Sequence, residues 1–134
     1  MRSRTLIFSP RMPSSSRWWR GEFSRGEFFE VDMPYAQFKN VVFDGVQISG
    51  ARFYGATFED CVFRNVELVD ATFRDAKFLR TRFENTDCDL CDFGGAEFLE
   101  SEIQGSMTRA YFNENSVLPF PIEDAGLRGF QYRK

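Results

Sequence analysis

Apolar residues recur at a strict spacing of five from Phe23 to Ile103. The seventeen positions are Phe23, Phe28, Met33, Phe38, Phe43, Ile48, Phe53, Phe58, Phe63, Leu68, Phe73, Phe78, Phe83, Cys88, Phe93, Phe98 and Ile103, and twelve of them are Phe. Two residues before each stands a small or β-branched residue, in a series that runs from Gly21 through Ala36, Val41 and Cys61 to Ala96 and Ser101. An amphipathic helix needs a period near 3.6 and a half-buried strand a period of 2, so neither fits. A fixed internal repeat predicts a solenoid, in which each short unit buries its apolar face by stacking on its neighbours.

Ala36-Gln37-Phe38, Ala51-Arg52-Phe53, Ala56-Thr57-Phe58, Ala71-Thr72-Phe73, Ala76-Lys77-Phe78 and Ala96-Glu97-Phe98 lie close to the unit Ala-(Asp/Asn)-(Leu/Phe)-x-x. On these residues the chain resembles the pentapeptide-repeat proteins, over about two-thirds of its length and without an insertion. The position before the Phe is seldom Asp or Asn here, which makes the outer surface this protein's own. The resemblance implies an all-β fold, a right-handed quadrilateral β-helix in which four units wind one square coil. The central residue and the residue two before it then point inward, and the other three point out. Seventeen units make about four coils over residues 21–105, between a basic arm and cap at 1–20 and a C-terminal cap at 106–134.

Four units per coil demand a second period of twenty, and the centres show it. Phe23, Phe43, Phe63, Phe83 and Ile103 fall on a first wall, and Phe28, Ile48, Leu68 and Cys88 on a second. Met33, Phe53, Phe73 and Phe93 fall on a third, and Phe38, Phe58, Phe78 and Phe98 on a fourth. The smaller centres gather on the second wall, where the other inward residues are bulkier than the four Ala of the fourth wall. That is volume compensation in a close-packed core.

At the N-terminus, Pro10, Pro13 and a run of Ser predict an irregular arm, and Trp18 with Trp19 a lid over the first coil. After Gly105 the period fails. Asn115-Ser116-Val117-Leu118-Pro119-Phe120, followed by Leu127-Arg128-Gly129, resembles the segment that follows such repeats, with Ser116 where Thr is usual. Pro121, Glu123, Asp124 and Gly129 predict a short helix that caps the last coil with Phe120, Ile122 and Leu127.

Charge changes the picture further. The net charge is −3, but residues 1–20 carry five Arg and no acid, while residues 21–105 carry 17 acids against 8 bases. The chain reads as an acidic rod with a basic arm. Sorted by wall, the second displays Glu27, Glu30, Glu67, Asp70, Asp87 and Asp89 and no base, whereas the other three mix signs. Rungs stack ~4.8 Å apart, so like charges in register repel. Two readings stand: a contact surface for a basic protein, or an acidic face that keeps the rod in solution or receives its own arm. Outward Val42 with Val62, and Leu79 with Leu99, form apolar pairs one coil apart, and an exposed apolar ladder marks an interface or lies under a terminal segment. Self-contact is expected for Leu79, Leu99, Phe120 and Leu127, with the C-terminal segment or in a homodimer.

Candidate chemistry is sparse. The chain has no histidine, no nucleophile–base constellation and no Gly-rich phosphate loop, and outward carboxylates on a convex rod lack a desolvated pocket. An enzyme, a cofactor and a metal are not expected. Cys88-x-x-Cys91 has redox or zinc spacing without a second pair, so Cys61, Cys88 and Cys91 read as reduced, packed thiols, with a disulfide or metal role as the sharper alternative. No apolar run reaches the ~20 residues of a membrane span, and Leu6-Ile7-Phe8 is shorter than a signal-peptide core of about 7–15 residues. The arm has the Arg- and Ser-rich composition of a transit peptide without its amphipathic period, so a cytoplasmic protein is the expectation.

The function expected is that of a non-enzymatic scaffold whose acidic face docks a basic protein. Two alternatives remain. The resemblance implies that some relatives imitate DNA and bind DNA gyrase, but four coils span only about 20 Å against ~34 Å for a DNA turn. The Arg-rich arm could bind nucleic acid, a reading that the acidic rod opposes.

Overall fold

The computed structural model describes the backbones of Ser3–Arg4 and Trp18–Ser24, and residues 32–126 and 128–133. The recurring local event is a corner. Each fifth residue from Tyr35 to Gly105 has a positive φ, fifteen corners in all, and Gly, Asn or Asp fills eleven of them. These are the residues that enter the left-handed region at least cost. Tyr35, Arg80, Leu90 and Glu100 hold the same conformation without that advantage. Between corners three or four residues run extended, too few for a free-standing sheet. They become stable by bonding to the coils on either side: Thr72 N–H donates to Ala51 C=O at 2.9 Å, and Phe53 N–H donates to Thr72 C=O at 2.8 Å.

The result is a parallel β-solenoid of about five turns with almost no helix. On the first wall, β1 (Ser3–Arg4), β2 (Trp18–Ser24), β3 (Gln37–Asp44), β5 (Val62–Arg64), β7 (Arg82–Asp87) and β9 (Glu102–Ser106) stack in that order. On the fourth wall, β3 is followed by β4 (Thr57–Glu59), β6 (Lys77–Leu79) and β8 (Glu97–Leu99). β3 turns the corner at Asn40 and so belongs to both walls. The second and third walls are held by isolated parallel bridges, Gln47 to Glu67 to Asp87 and Asp32 to Arg52 to Thr72 to Asp92. Trp18 and Trp19, expected as a lid, lie in β2 with their backbones paired to Gln37 and Phe38.

Register twenty puts each Phe on its own counterpart. On the fourth wall Phe38, Phe58, Phe78 and Phe98 stack with ring centres 5.0, 5.1 and 4.6 Å apart and planes within 9°. Phe43, Phe63 and Phe83 stack at 4.6 Å on the first, and Phe53, Phe73 and Phe93 at 5.4 and 5.5 Å on the third. Rings of adjacent walls meet edge to face, as Phe58 and Phe63 do at 5.3 Å. The fourth column is aliphatic and thiol: Ile48, Leu68 and Cys88, all fully buried. Buried polar groups lie in the ladder itself. Thr81 and Ser101 hydroxyls donate to Phe58 and Phe78 C=O and accept from the Cys61 and Thr81 N–H groups.

The C-terminal part departs from expectation in two ways. The period does not end at Gly105; it slips by one residue and resumes, because Met107, Ala110 and Phe112 are buried as the next inward residues. Phe83 pairs with Ile103 but Thr86 pairs with Gly105, one residue early, and an extra residue before Val117 restores the pairing with Glu97. The expected capping helix is also absent. Ile122–Asp124 makes a single 3-10 turn, since Pro119 and Pro121 remove donors on one side and Gly126 and Gly129 favour turns on the other. The cap consists instead of half-buried Leu118 and Phe120, buried Ala125 and Phe130, and a last strand, β11 (Gln131–Tyr132), paired to β10 (Tyr111–Phe112). Arg128 lies over the Phe120 ring at 4.3 Å and Arg133 over Tyr111 at 4.7 Å. Leu127 and the Ile122 side chain lie outside the described residues.

The slip needs a glycine. Gly105 has φ 143°, and a Cβ there would collide with the Thr86 carbonyl and amide. Gly105→Ala is therefore expected to cost at least about 2 kcal/mol in chemical denaturation. At Gly45, φ is 68° with open space around the Cβ position, so Gly45→Asn should stay within about 1 kcal/mol of the parent. Equal losses at the two sites would contradict this account of the slip.

Candidate interaction surface

On three of the four walls a cation pairs with a carboxylate of a neighbouring coil. On the first, Arg64 lies between Asp44 at 3.9 Å and Glu84 at 3.5 Å, one coil below and one above. On the fourth, Arg80 holds Asp60 at 2.7 Å and Glu59 at 2.9 Å. The hydrogen bond from the Arg80 guanidinium keeps the Asp60 carboxyl below its ordinary value, so this pair's support is full above the ordinary value and is lost as pH falls through the lowered one. On the third, Arg74 reaches Asp92 at 3.1 Å. These are exposed or half-exposed pairs of small individual worth. Their pattern is what matters: opposite charges alternate along the stacking direction.

The second wall has no such alternation. Glu67 pairs directly over Gln47 and under Asp87, and among the described residues no ion pair joins Glu67, Asp70, Asp87 or Asp89 to a cation. The four differ in their surroundings. Glu67 and Asp70 are exposed, whereas Asp87 and Asp89 are half-buried and tied into turns. Asp87 Oδ1 accepts the Asp89 N–H at 3.1 Å. Asp89 Oδ1 accepts the Ser106 hydroxyl at 2.8 Å and the Thr108 N–H at 3.0 Å. Asp70 occupies a left-handed corner, a position Asp favours for backbone reasons. Ser106 and Thr108 were not legible as partners of this wall, because they reach it only through the one-residue slip. Glu27 and Glu30 lie outside the described residues.

Two open recesses flank the wall. One of about 540 Å³, towards the third wall, is lined by Gly50, Arg52, Tyr54, Asp70 and Thr72. The other, of about 380 Å³ towards the first wall, includes Asn65, Glu67, Asn85, Asp87 and Ser106. Both linings carry hydroxyl and carboxylate groups. Among the described residues no group of three or more His, Cys, Asp or Glu converges to hold a metal ion. Exposed Tyr54 lines the first recess with Asp70, a neighbour that the charge pattern alone does not reveal.

The apolar pairs stand in register as the spacing requires, Val42 with Val62 and Leu79 with Leu99. Leu99 is 42% exposed and Phe120 packs partly on the core. The three thiols are buried. Cys91 donates to Leu68 C=O and Cys61 to Glu59 C=O, and burial pushes the Cys61 thiol from its ordinary 9.0 up to about 12. The Cys91 thiol is raised by the same cause. No helix among the described residues is long and apolar enough to cross a membrane.

A family model described as "Pentapeptide repeat region" matches residues 21–108. Among solved structures, the chain is similar to a pentapeptide repeat protein from the Arabidopsis thaliana thylakoid lumen. That likeness has a TM-score of 0.55 and 19% identity, and covers 79% of this chain and 69% of that one. It is also similar to full-length QnrB1, a plasmid-mediated fluoroquinolone resistance protein, with a TM-score of 0.43 and 14% identity over 98% of this chain and 94% of that one. At these identities the likeness is one of fold. No curated protein sequence matches the chain.

The thiols make the burial testable. At pH 8 a soluble thiol reagent should leave Cys61, Cys88 and Cys91 unmodified in the native protein and modify all three in denaturant. Because the Cys61 thiol is raised in the fold, its contribution is complete below pH 9.0 and is lost as pH climbs towards about 12. Rapid labelling of the native protein would refute the buried assignment.

Proposed function

We propose, from the premise that the chain belongs to the pentapeptide-repeat family, that it is a non-enzymatic interaction scaffold whose second wall receives a basic protein. The observation that carries this reading is the contrast in charge between walls. Among the described residues the first, third and fourth walls each pair a cation with a carboxylate, and the second presents Glu67, Asp70, Asp87 and Asp89 without one. Like charges stacked at ~4.8 Å raise the energy of the free rod, and a cationic partner relieves that repulsion on binding. Glu27 and Glu30 extend the same wall in sequence. Solvent-facing Glu67 and Asp70 make the first contact, while Asp87 and Asp89 hold the surface in shape and add field.

DNA imitation directed at DNA gyrase is the more specialised form of the same idea. About five rungs span roughly 20–25 Å, short of the ~34 Å of one DNA turn, so a single copy favours a smaller basic epitope. Nucleic-acid binding by the Arg-rich arm concerns side chains outside those described.

Affinity capture from the cells of origin, with the parent and with Glu67→Gln/Asp70→Asn, tests the wall. Neither substitution removes a hydrogen bond described above, so folding should be preserved. A basic protein should be retained by the parent at least tenfold better than by the variant, and the difference should shrink at high salt. Equal retention of every captured protein by the two forms would sink the proposal.

A further inference from the structure

The upper end of the solenoid is uneven. Three walls gain a further rung above the last full coil. Ser106 and Thr108 carbonyls accept from Cys88 and Leu90 on the second, Tyr111 bridges Asp92 on the third, and Val117 bridges Glu97 on the fourth. Among the described residues the first wall gains none: β9 ends the sheet, with β7 on one side and no strand on the other. Of its five residues only Ile103 is buried. The opposite end of this wall is closed, because the two-residue strand β1 lies parallel to β2. One edge of the wall therefore already takes a short parallel strand from outside the repeats.

The rungs below define what the open edge offers. Thr81 C=O accepts from Glu102 N–H, and Thr81 N–H donates to the Ser101 hydroxyl, each across one coil. Cys61 N–H donates to the Thr81 hydroxyl in the same way. By the same pattern, Ser101, 7% exposed, turns its C=O and N–H towards the missing rung, and neither has a partner among the described residues. At the next position Arg82 lies under Glu102, so the rung above Glu102 is complementary to a cation.

We propose that the free edge of β9 receives a parallel, extended segment of a partner protein in which serine or threonine is followed by lysine or arginine. Its backbone continues the ladder, its hydroxyl accepts the Ser101 N–H, and its base meets Glu102. Exposed strand edges are templates for this kind of addition. A second copy fits less well: a closed two-fold dimer would bring the two β9 edges together antiparallel and set their carboxylates near one another. This site is on the first wall, so its failure would leave the second-wall reading untouched.

The probe is a labelled synthetic peptide with the sequence of Arg80–Asp87, which already forms the rung beneath β9 and carries threonine and arginine in the required order. Fluorescence anisotropy should show saturable binding, and amide exchange at Ile103 should slow when peptide is present. Glu102→Lys should weaken binding about fivefold, and a peptide with glutamate in place of the second arginine should recover it on that variant. Glu102 is exposed, so the variant's unchanged melting temperature serves as the folding control. Absence of saturable binding, binding without protection at Ile103, or indifference to the charge swap would each overturn the proposal. So would protection of Ile103 that appears with protein concentration alone, which would assign the edge to a second copy.

Discussion

From Asp32 to Ile103 the described repeat residues stand in register with their counterparts twenty residues away, and the rest of the structure depends on that constraint. It arises at the corners, where one residue in five turns through the left-handed region. Inside, alignment helps: identical rings stack with planes within 11°, and hydroxyls that would be orphaned in a core sit in the ladder. Outside, the same alignment is hazardous, since each charge meets whatever charge lies above it. Arg64 between Asp44 and Glu84 shows the remedy, and the second wall shows its absence.

That wall also lies over the least aromatic part of the core, the column Ile48, Leu68 and Cys88. Its flanking corners are tied by local hydrogen bonds such as Asn85 to Asn65 at 2.7 Å. Among the described residues the surface carries carboxylates and one adjacent tyrosine, Tyr54.

Most of the fold was legible because inward positions tolerate few residue types: an apolar residue at every fifth position marks a solenoid, and the family resemblance supplies the square coil. The apolar period did not reveal the corners: Asn40, Gly45, Gly50, Asp60, Asn65 and Asp70 recur every five residues for backbone reasons, whereas Asp70 was read for its charge alone. The slip at Gly105 was not, since it depends on how closely that backbone passes Thr86, a contact no spacing rule encodes. Its consequence was that Met107, Ala110 and Phe112 looked irregular while continuing the pattern. The capping helix failed for a related reason: Pro, acidic and Gly residues mark a helix start and stop, but too few residues lie between them. On the candidate surface the charge was legible and the turn bonds of Asp87 and Asp89 were not, because their partners lie beyond the slip.

The missing residue at Gly105 and the added one before Val117 make a frameshift and its suppressor written in backbone geometry. Between the two, residues 106–112 are read one place early. Beyond them the original phase returns, so Val117 again lies over Glu97. A lineage of such chains can therefore grow or shrink freely only in blocks of twenty residues. Any smaller insertion or deletion rotates every later wall until a second one reverses it, and the walls between the two are where new surfaces arise without disturbing those before.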